Sequence, residues 1–358
     1  MSDAVDAWAA RIRECAATAT PIVIGGGGSK RFYGNDVEGE LLDTREHTGI
    51  VEYAPVELVV VARAGTPLAD VESALAAERQ MLAFEPPHFG SGATLGGAIA
   101  TGLSGPRRPY AGAARDLVLG VKVIDGNGTR MAFGGRVMKN VAGFDVSRLM
   151  TGAQGTLGVL TEIALKCLPM PATDETRVFE CSADEAIQRV NQWTGQALPL
   201  SATCYERGQL AVRFSGAVPA VAAALRKLGG ATLADNAAFW RSVREHTHGF
   251  FGGDAGTPLW RVSIKATTPF SDLGGDQLVE WGGALRWLRT KSGLPADATR
   301  LRAFAATHGG HATLFRGGDR ALGAFHPLPP VIAGLHQRLK AAFDPQRILN
   351  RGRMYADL

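Results

Sequence analysis

The chain has 358 residues, of which 46% are hydrophobic and 20% charged, and its formal net charge is +4 at pH 7. This composition supplies a large hydrophobic core and excludes a chain that is disordered throughout. Basic residues are scattered among acidic ones without a run of like charge, so the sequence gives no indication of a nucleic-acid partner. At roughly 150 residues per domain, the length predicts two domains.

The first half of the chain is predicted to alternate strands and helices. An apolar stripe predicts a helix over residues 2–17, and Thr66 and Pro67 are typical of the N-cap and first position of a helix over 67–79. Apolar runs that predict strands lie at 21–24, 58–62, 117–125, 129–133 and 159–165. A Gly-Asn-Gly turn between the third and fourth of these runs indicates a hairpin.

The pattern of predicted secondary structure changes after residue 170. Helix-like segments alternate with strand-like ones, which predicts a second domain that mixes helices and strands; the helices are at 184–194, 218–228 and 236–245, and the strands at 209–215 and 259–264. A last helix is indicated by apolar residues repeating every four positions from Val331 to Phe343, before Asp344 and Pro345 end it. We therefore divide the chain into residues 1–170, 171–325 and 326–358.

Four consecutive glycines, Gly25–Gly28, follow the first predicted strand and precede Ser29 and Lys30. Glycines allow successive backbone N–H groups to converge on an anion without obstruction by Cβ atoms. The order of residues fits neither a P-loop nor the GxGxxG fingerprint. We interpret the segment as a nucleotide-binding loop of another design, which we favour over a flexible linker because it follows a buried strand directly.

Two further segments are rich in small residues. In residues 86–106, around a TLGG sequence, small residues outnumber polar ones and no Asp, Glu, Lys or Arg occurs, which fits a backbone that lies flat against a large planar ligand. Residues 137–145 and 152–159 form the other segment, and its glycines also precede a strand.

Together these motifs resemble the FAD-binding domain of the vanillyl-alcohol oxidase (PCMH) family. The resemblance rests on the GGGGS turn, the TLGGAIA segment and the GAQGTLGVLTE segment, and it covers about residues 20–168. It implies an α+β fold, in which a split FAD-binding domain of two subdomains is followed by an α/β cap domain. The C-terminal helix and tail would return to the FAD-binding domain.

The resemblance also implies which residues hold FAD. The first glycine loop and the TLGG region would bind the pyrophosphate, and the later segment would lie along the adenosine and the flavin. The residues implied are Gly25, Gly26, Gly27, Gly28, Ser29, Lys30, Pro86, Thr94, Leu95, Gly96, Gly97, Thr101, Gly143, Asp145, Gly155, Thr156, Gly158, Val159 and Asn350. Relatives that attach FAD covalently use a histidine in the glycine loop, and this loop has neither histidine nor cysteine. We therefore expect non-covalent FAD.

The second half resembles, more narrowly, the FAD-binding E subunit of bacterial glycolate oxidase. The similar segments are Phe239-Trp240, 259–261, 281–287, 309–314 and 343–355. The resemblance implies a subunit of a complex that oxidises 2-hydroxy acids to 2-oxo acids, with a catalytic FAD subunit and an iron–sulfur subunit as partners. Two alternatives stay open, a self-sufficient FAD-dependent 2-hydroxy-acid dehydrogenase and a non-catalytic scaffold subunit.

Residues for catalysis are harder to assign. The histidine-and-acid metal motif of the catalytic relatives is missing, because only His308 and His311 stand near two glycines without a carboxylate, so we expect no metal. His311 is a candidate for a role near the flavin. Arg261 and Arg316 are candidates to pair with a substrate carboxylate.

The cysteines and the tail bear on partners and location. Cys15, Cys167, Cys181 and Cys204 show no metal-ligand spacing, so this chain is not expected to hold an iron–sulfur cluster. We expect a cytoplasmic protein, with peripheral attachment to the inner membrane through the complex as the alternative. The run 346–355 is either a docking surface for a partner or a segment that packs on its own FAD-binding domain.

Overall fold

The computed structural model describes residues 3–135, 145–254, 256–290 and 295–358. Its helices are α1 Asp3–Thr18, α2 Leu68–Ala77, α3 Leu95–Thr101, α4 Arg108–Ala111, α5 Ala114–Leu117, α6 Val146–Met150, α7 Ala183–Thr194, α8 Val218–Leu228, α9 Asn236–Arg244, α10 Pro295–Thr307 and α11 Pro330–Phe343. Its strands are β1 Ile22–Gly25, β2 Glu40–Asp43, β3 Ile50–Ala54, β4 Val59–Arg63, β5 Gln80–Met81, β6 Val118–Ile124, β7 Arg130–Gly134, β8 Val159–Lys166, β9 Leu168–Pro169, β10 Thr173–Glu180, β11 Leu200–Glu206, β12 Gln209–Gly216, β13 Ala231–Thr232, β14 Leu259–Ser263, β15 Asp276–Glu280, β16 Leu285–Arg289 and β17 His311–Arg316.

The α+β class is confirmed, and the chain forms two compact units. Unit 1 consists of residues 1–103, 113–170 and 327–358, and unit 2 of residues 104–112 and 171–326. The short segment 104–112 thus belongs with unit 2, whereas the sequence analysis placed it inside the first domain. The assignment of unit 2 as a cap stays a prediction.

Unit 1 is built around an antiparallel five-stranded sheet in the order β3-β4-β8-β6-β7. The predicted strands and the β6–β7 hairpin of this unit are confirmed. Helix α2 is also confirmed, but its N-cap is Pro67, without a side-chain hydrogen bond. Thr66 does not cap the helix because its hydroxyl binds Gly49 instead, accepting from the Gly49 N–H at 2.9 Å.

A second, smaller layer of unit 1 pairs β1 with β2 in parallel, and the C-terminal tail completes it. The Ile22 N–H donates to the Ile348 carbonyl at 2.7 Å, and the Asn350 N–H donates to the Ile22 carbonyl at 2.9 Å. Ile348 and Leu349 are buried in one apolar cluster with Ile12 of α1. The tail is therefore part of the unit 1 core, and its role as a docking surface stays a prediction.

Helix α11 is confirmed, but the apolar repeat that predicted it is mostly uncovered at its N-terminal end. Val331 is 77% exposed and Leu335 41% exposed. The buried residue of this helix is Lys340 near its C-terminal end. No helix in the part of the chain that the structure describes has the length and apolar character needed to cross a membrane.

Unit 2 contains an eight-stranded sheet in the order β13-β10-β12-β11-β15-β16-β14-β17. The predicted helices and strands of this half correspond to α7, α8, α9, β12 and β14. Apolar residues of α7 and α8 pack with β10–β12, and those of α10 pack with β14 and β17. The tryptophans at 240, 260, 281 and 287 are buried, as expected of core residues.

Candidate functional site

The glycine loop follows β1 and is held by close backbone packing. Thr44 anchors its start, since the Gly25 carbonyl accepts from both the Thr44 N–H at 2.8 Å and the Thr44 hydroxyl at 3.0 Å. A Cβ on Gly27 would overlap the backbone carbonyl of Gly92, so this crossing requires glycine. Within the described residues, no protein acceptor receives the N–H groups of Gly26 through Ser29. Four backbone donors are therefore available for a ligand.

The TLGG segment forms the start of the short helix α3. Thr94 is its N-cap, and the Gly97 N–H donates to the Thr94 hydroxyl at 3.2 Å. The Gly96 N–H donates to the Ala64 carbonyl at 2.7 Å, and a Cβ on Gly96 would come within 2.8 Å of that carbonyl oxygen. Glycine at position 96 therefore allows α3 to approach β4 closely. The segment brings Gly97 and Thr101 to the same cavity as the glycine loop.

The third segment is tied to the C-terminal tail by Asn350. The Asn350 side chain accepts from the Ile24 N–H at 2.8 Å and donates to the Gln154 carbonyl at 2.6 Å. A Cβ on Gly155 would come within 2.6 Å of the Asn350 Nδ2 atom. The Asn350 side chain thus joins β1 to the segment that holds Gly155, and both of these contribute to the lining of the cavity.

Arg353 is a residue of this site that the sequence analysis did not identify. Its guanidinium donates to the carbonyls of Arg31 and Asn35, both at 2.7 Å, and to the Gln154 Oε1 at 3.3 Å. It is 9% exposed and lines the cavity. The sequence offered little signal for it, because Arg31 and Asn35 are more than 300 positions away along the chain and Gln154 is 199 positions away.

These elements enclose a cavity of about 560 Å³ in unit 1. Thirteen of the residues implied to bind FAD line it: Gly25, Gly26, Gly27, Gly28, Ser29, Lys30, Thr94, Gly96, Gly97, Thr101, Gly155, Gly158 and Asn350. Five other residues that were expected to bind FAD do not line it, namely Pro86, Leu95, Asp145, Thr156 and Val159. Gly143 lies outside the described residues. Contacts between any of these and FAD stay predictions.

The residues that do not line the cavity have other roles in the structure. Leu95 and Val159 are fully buried core residues. The Asp145 carboxylate caps α6 by accepting from the Arg148 N–H at 3.2 Å. The Thr156 hydroxyl donates to the Ala153 carbonyl at 2.7 Å, within its own turn.

The cavity fits FAD in size and in chemistry. Its volume is within the range of small-molecule and cofactor sites. The unclaimed N–H groups of the glycine loop suit a pyrophosphate, and the side chains of Lys30, Arg31 and Arg353 add positive charge to a lining that also includes Asp36 and Glu38. The lining has neither histidine nor cysteine among the described residues, so it provides no covalent attachment point of those types.

A second cluster of chemistry-bearing residues lies in unit 2, around Trp281. The guanidinium carbons of Arg108 and Arg261 lie 4.5 and 5.1 Å from the centre of the Trp281 ring. The indole N–H of Trp281 donates to the Gly105 carbonyl at 3.1 Å, which fixes the ring. Trp281 lies in a 3-10 turn with φ of 53°, and not in the strand that holds Trp287.

His311 begins β17 beside this cluster. Although the residue is exposed, desolvation of its ring lowers its pKa to about 4, with further contributions from the charges of Arg261, His326 and Arg108. Arg316 lies at the other end of β17, and burial followed by the charge of Arg289 lowers its pKa. All the charges that act on His311 are positive, so this region favours an anion.

His308 has a structural explanation. Its Nδ1 atom lies 2.8 Å from the Phe304 carbonyl, and its ring packs on the Phe304 ring at 4.4 Å. Among the residues that the structure describes, no three His, Cys, Asp or Glu side chains are grouped so that they could hold a metal.

Comparison with known proteins places the chain in a family. The family described as "FAD binding domain" matches residues 3–134. The chain is 47% identical over 348 residues to the glycolate oxidase subunit GlcE of Escherichia coli K12, covering 97% of this chain and 96% of that protein. It is 34% identical over 182 residues to the glycolate oxidase subunit GlcD of Bacillus subtilis 168, covering 49% of this chain and 38% of that protein.

Comparison with solved structures supports the α+β fold. An alkyldihydroxyacetonephosphate synthase matches with a TM-score of 0.62 and 15% identity, covering 96% of this chain and 73% of that one. At this identity the likeness concerns the fold alone. The family match, the similarity to GlcE over 97% of the chain and the glycine-lined cavity agree with this fold. The chain is an FAD-binding member of the glycolate oxidase E-subunit family.

Proposed function

We propose that this chain is the FAD-binding E subunit of a glycolate oxidase complex, which oxidises 2-hydroxy acids to 2-oxo acids. The flavin part of the proposal rests on the cavity of unit 1, which is lined by thirteen of the expected residues, among them the four, Gly26 to Ser29, whose N–H groups have no acceptor in the described part of the chain. The substrate part rests on the 47% identity to GlcE over 97% of the chain. FAD, when bound, supplies the acceptor for the two electrons that leave the substrate.

We propose further that the FAD is non-covalent and that the chain acts in the cytoplasm. A lining without histidine or cysteine supports the first point, and four free thiols agree with a reducing compartment. Acid precipitation of the purified chain should leave yellow flavin in the supernatant. Flavin that stays in the pellet would contradict the non-covalent assignment.

The electrons then have to leave through a partner. The cysteines are scattered, and Cys15, Cys167 and Cys204 are buried, so these positions do not suit cluster ligation. We therefore propose a catalytic FAD subunit and an iron–sulfur subunit as partners. The names of GlcE and GlcD, each described as a glycolate oxidase subunit, support an assembly of several chains.

In unit 2, we propose that Arg261 binds the substrate carboxylate, assisted by Arg108, with Arg316 as a further cation. Two guanidinium groups on one tryptophan ring, in a region of positive charge, suit a small carboxylate. His311 is neutral at pH 7 because its pKa is about 4, so it offers the substrate hydroxyl a hydrogen bond but is only a weak base for its proton.

This assignment predicts a specific kinetic change. Arg261→Gln should raise the KM of the assembled complex for glycolate by about tenfold or more, because it removes one charged hydrogen-bond pair. Arg226→Gln, on the exposed face of α8, is the matched control and should leave KM unchanged. An unchanged KM in the Arg261 variant would remove this residue from the substrate site.

The function itself is tested by isolating the chain from its native cell with an affinity tag. We expect it to co-purify with a second FAD-containing chain and an iron–sulfur chain, and the assembly to reduce a dye in the presence of glycolate. A chain recovered alone at physiological salt, with glycolate-oxidising activity of its own, would instead support the self-sufficient dehydrogenase. A native protein without flavin would support the scaffold.

A further inference from the structure

Lys340 is a charged side chain in the interior of unit 1, with 1% of its surface exposed. Its ammonium Nζ lies 2.7 Å from the Asp344 Oδ2 and donates to two backbone carbonyls, those of Thr156 and Leu349, both at 2.8 Å. An ammonium has three hydrogens to donate, and here three oxygen atoms from three separate places in the sequence receive them.

Asp344 is the second member of this pair and is fully buried. Its Oδ1 accepts from the Ile348 N–H at 3.1 Å, and its Oδ2 accepts from the Leu349 N–H at 2.8 Å. On the other side, a Cβ on Gly126 would come within 2.7 Å of the Asp344 Cα. The carboxylate therefore fixes the turn that follows α11 and leads to Asn350.

The two carbonyls that Lys340 binds belong to two neighbouring segments that both contribute to the lining of the FAD cavity. Thr156 follows Gly155, and Leu349 precedes Asn350; both Gly155 and Asn350 line the cavity. The Asn350 side chain joins the same two segments through the Gln154 carbonyl at 2.6 Å. The buried Lys340 ammonium and the Asn350 side-chain amide thus each join the 154–158 segment to the C-terminal tail.

The pair is not explained by stability alone. Burial lowers the pKa of Lys340 even though the charge of Asp344 raises it. Keeping the charged ammonium in the interior therefore costs free energy of folding. Apolar residues of similar volume often replace a buried ion pair without loss of stability. A directional group at this position instead fixes the arrangement of the two segments.

We propose that the Lys340–Asp344 pair is a positioning device that locks the C-terminal tail onto the 154–158 segment and thereby couples docking of the tail to binding of FAD. Coupling between two binding events is reciprocal. FAD should therefore stabilise the docked tail, and a tail that cannot dock should weaken FAD binding. The inference depends on the FAD cavity and not on the identity of the substrate.

The first test measures FAD affinity by titrating the flavin-free full-length chain with FAD and following flavin fluorescence. Lys340→Met keeps the length of the side chain and removes the three hydrogen bonds; we expect the Kd for FAD to rise at least tenfold. Val59→Ala, a buried change in β4 away from the cavity lining, is the control for general destabilisation and should leave this Kd unchanged. A wild-type Kd and flavin spectrum in Lys340→Met would overturn the proposal.

The second test uses the wild-type chain, so it does not depend on whether a variant folds. Arg347 and Arg351 are exposed trypsin sites in the tail, and Arg207, in the turn between β11 and β12, is an exposed site in unit 2. Saturating FAD should slow cleavage at the two tail sites at least fivefold and leave cleavage after Arg207 unchanged. Equal cleavage rates in the tail with and without FAD would overturn the coupling, even if the chain proves to serve in glycolate oxidation.

Discussion

Among single residues, Gly28 offers the cleanest test of the phosphate site. Its φ is +74°, and a Cβ there would meet no atom within 4 Å. Aspartate and asparagine both tolerate this backbone region and have nearly the same shape. Gly28→Asp should weaken FAD binding at least tenfold more than Gly28→Asn, about 1.4 kcal/mol, because only aspartate repels a pyrophosphate.

The measurement is the Kd for FAD of both variants, at low and at high salt. Equal Kd values for the two variants would show that Gly28 does not face the phosphates. Gly27 is a poorer choice for this test. Any side chain there would overlap the Gly92 carbonyl, so a loss of FAD would report a distorted loop and not a charge effect.

The buried His246 predicts how the free energy of unfolding depends on pH. Its ring stacks on Phe251 at 3.9 Å and contacts the ring of Trp287 at 4.6 Å. Burial, followed by the charges of Arg316 and Arg261, places its pKa well below 6.5. As pH falls below about 6.5, the unfolded chain binds this proton first, so the free energy of unfolding decreases until the folded-state pKa is reached.

Linkage puts the contribution of one such histidine at about 1.4 kcal/mol between pH 7.5 and 5.5. His246→Phe should therefore reduce the loss of unfolding free energy over this interval by about that amount, measured by urea unfolding at both pH values. Other histidines with lowered pKa values, such as His47 and His326, keep part of the dependence in the variant. The same loss in variant and wild type would mean that His246 is not protected from protons.

At the scale of secondary-structure elements, the start of α11 and the C-terminal tail differ in how far their apolar side chains are buried. Val331 at the start of the helix is 77% exposed, whereas Leu349 after its end is fully buried among Ile12, Ile22 and Ile348. Val331→Ser should change the free energy of unfolding by less than about 0.5 kcal/mol. Leu349→Ala should lower it by about 2–5 kcal/mol. Thermal unfolding of both variants is the measurement, and comparable losses would contradict the observed burial.

Elements whose signals are local were predictable from sequence. The helices over 184–194, 218–228 and 236–245 match α7, α8 and α9 within a residue or two, since periodicity and caps are short-range features. The glycine loops were recognisable because a crossing such as Gly27 over Gly92 excludes every side chain. The exposed stripe of α11 was not predictable, because an apolar repeat indicates a helix but not what covers it.

The contacts that complete the site are long-range and left no local pattern. Arg353 lies next to Asn35 in space but 318 positions away in sequence, and Lys340 lies 184 positions from Thr156. In the sequence, nothing distinguishes Lys340 and Arg353 from ordinary basic residues of a C-terminal helix and tail. Trp281 does not belong to the strand that holds Trp287, because the glycines at 282 and 283 have positive φ and form a turn there.

At the scale of the whole molecule, the structure changes how the tail is interpreted. Arg351 is exposed, but Arg353 is buried against the cavity loops. A charge reversal at both positions would therefore damage the FAD site and would not report on docking of a partner. The exposed apolar residues of this unit include Val331, Ile332 and Leu335, which lie together at the start of α11.

The isolated chain is expected to hold FAD that glycolate does not reduce quickly. Removal of a hydride from the substrate α-carbon requires a base for the hydroxyl proton, and the candidate here, His311, has a pKa of about 4 and is a weak base at pH 7. Among the described residues, no three His, Cys, Asp or Glu side chains are grouped so that they could hold a metal ion beside the hydroxyl. Oxidation by this chain alone should therefore be far slower than a typical enzyme turnover of about 10 per second.

The measurement is anaerobic mixing of the purified, FAD-loaded chain with excess glycolate, followed by absorbance in the flavin band. Dithionite, added afterwards, should bleach the flavin at once, which controls for its ability to accept electrons. The assembly recovered from native cells should oxidise glycolate under the same conditions. Bleaching of the isolated chain within a second would instead mean that unit 1 and unit 2 suffice for the chemistry, and it would identify the chain as a dehydrogenase that needs no catalytic partner.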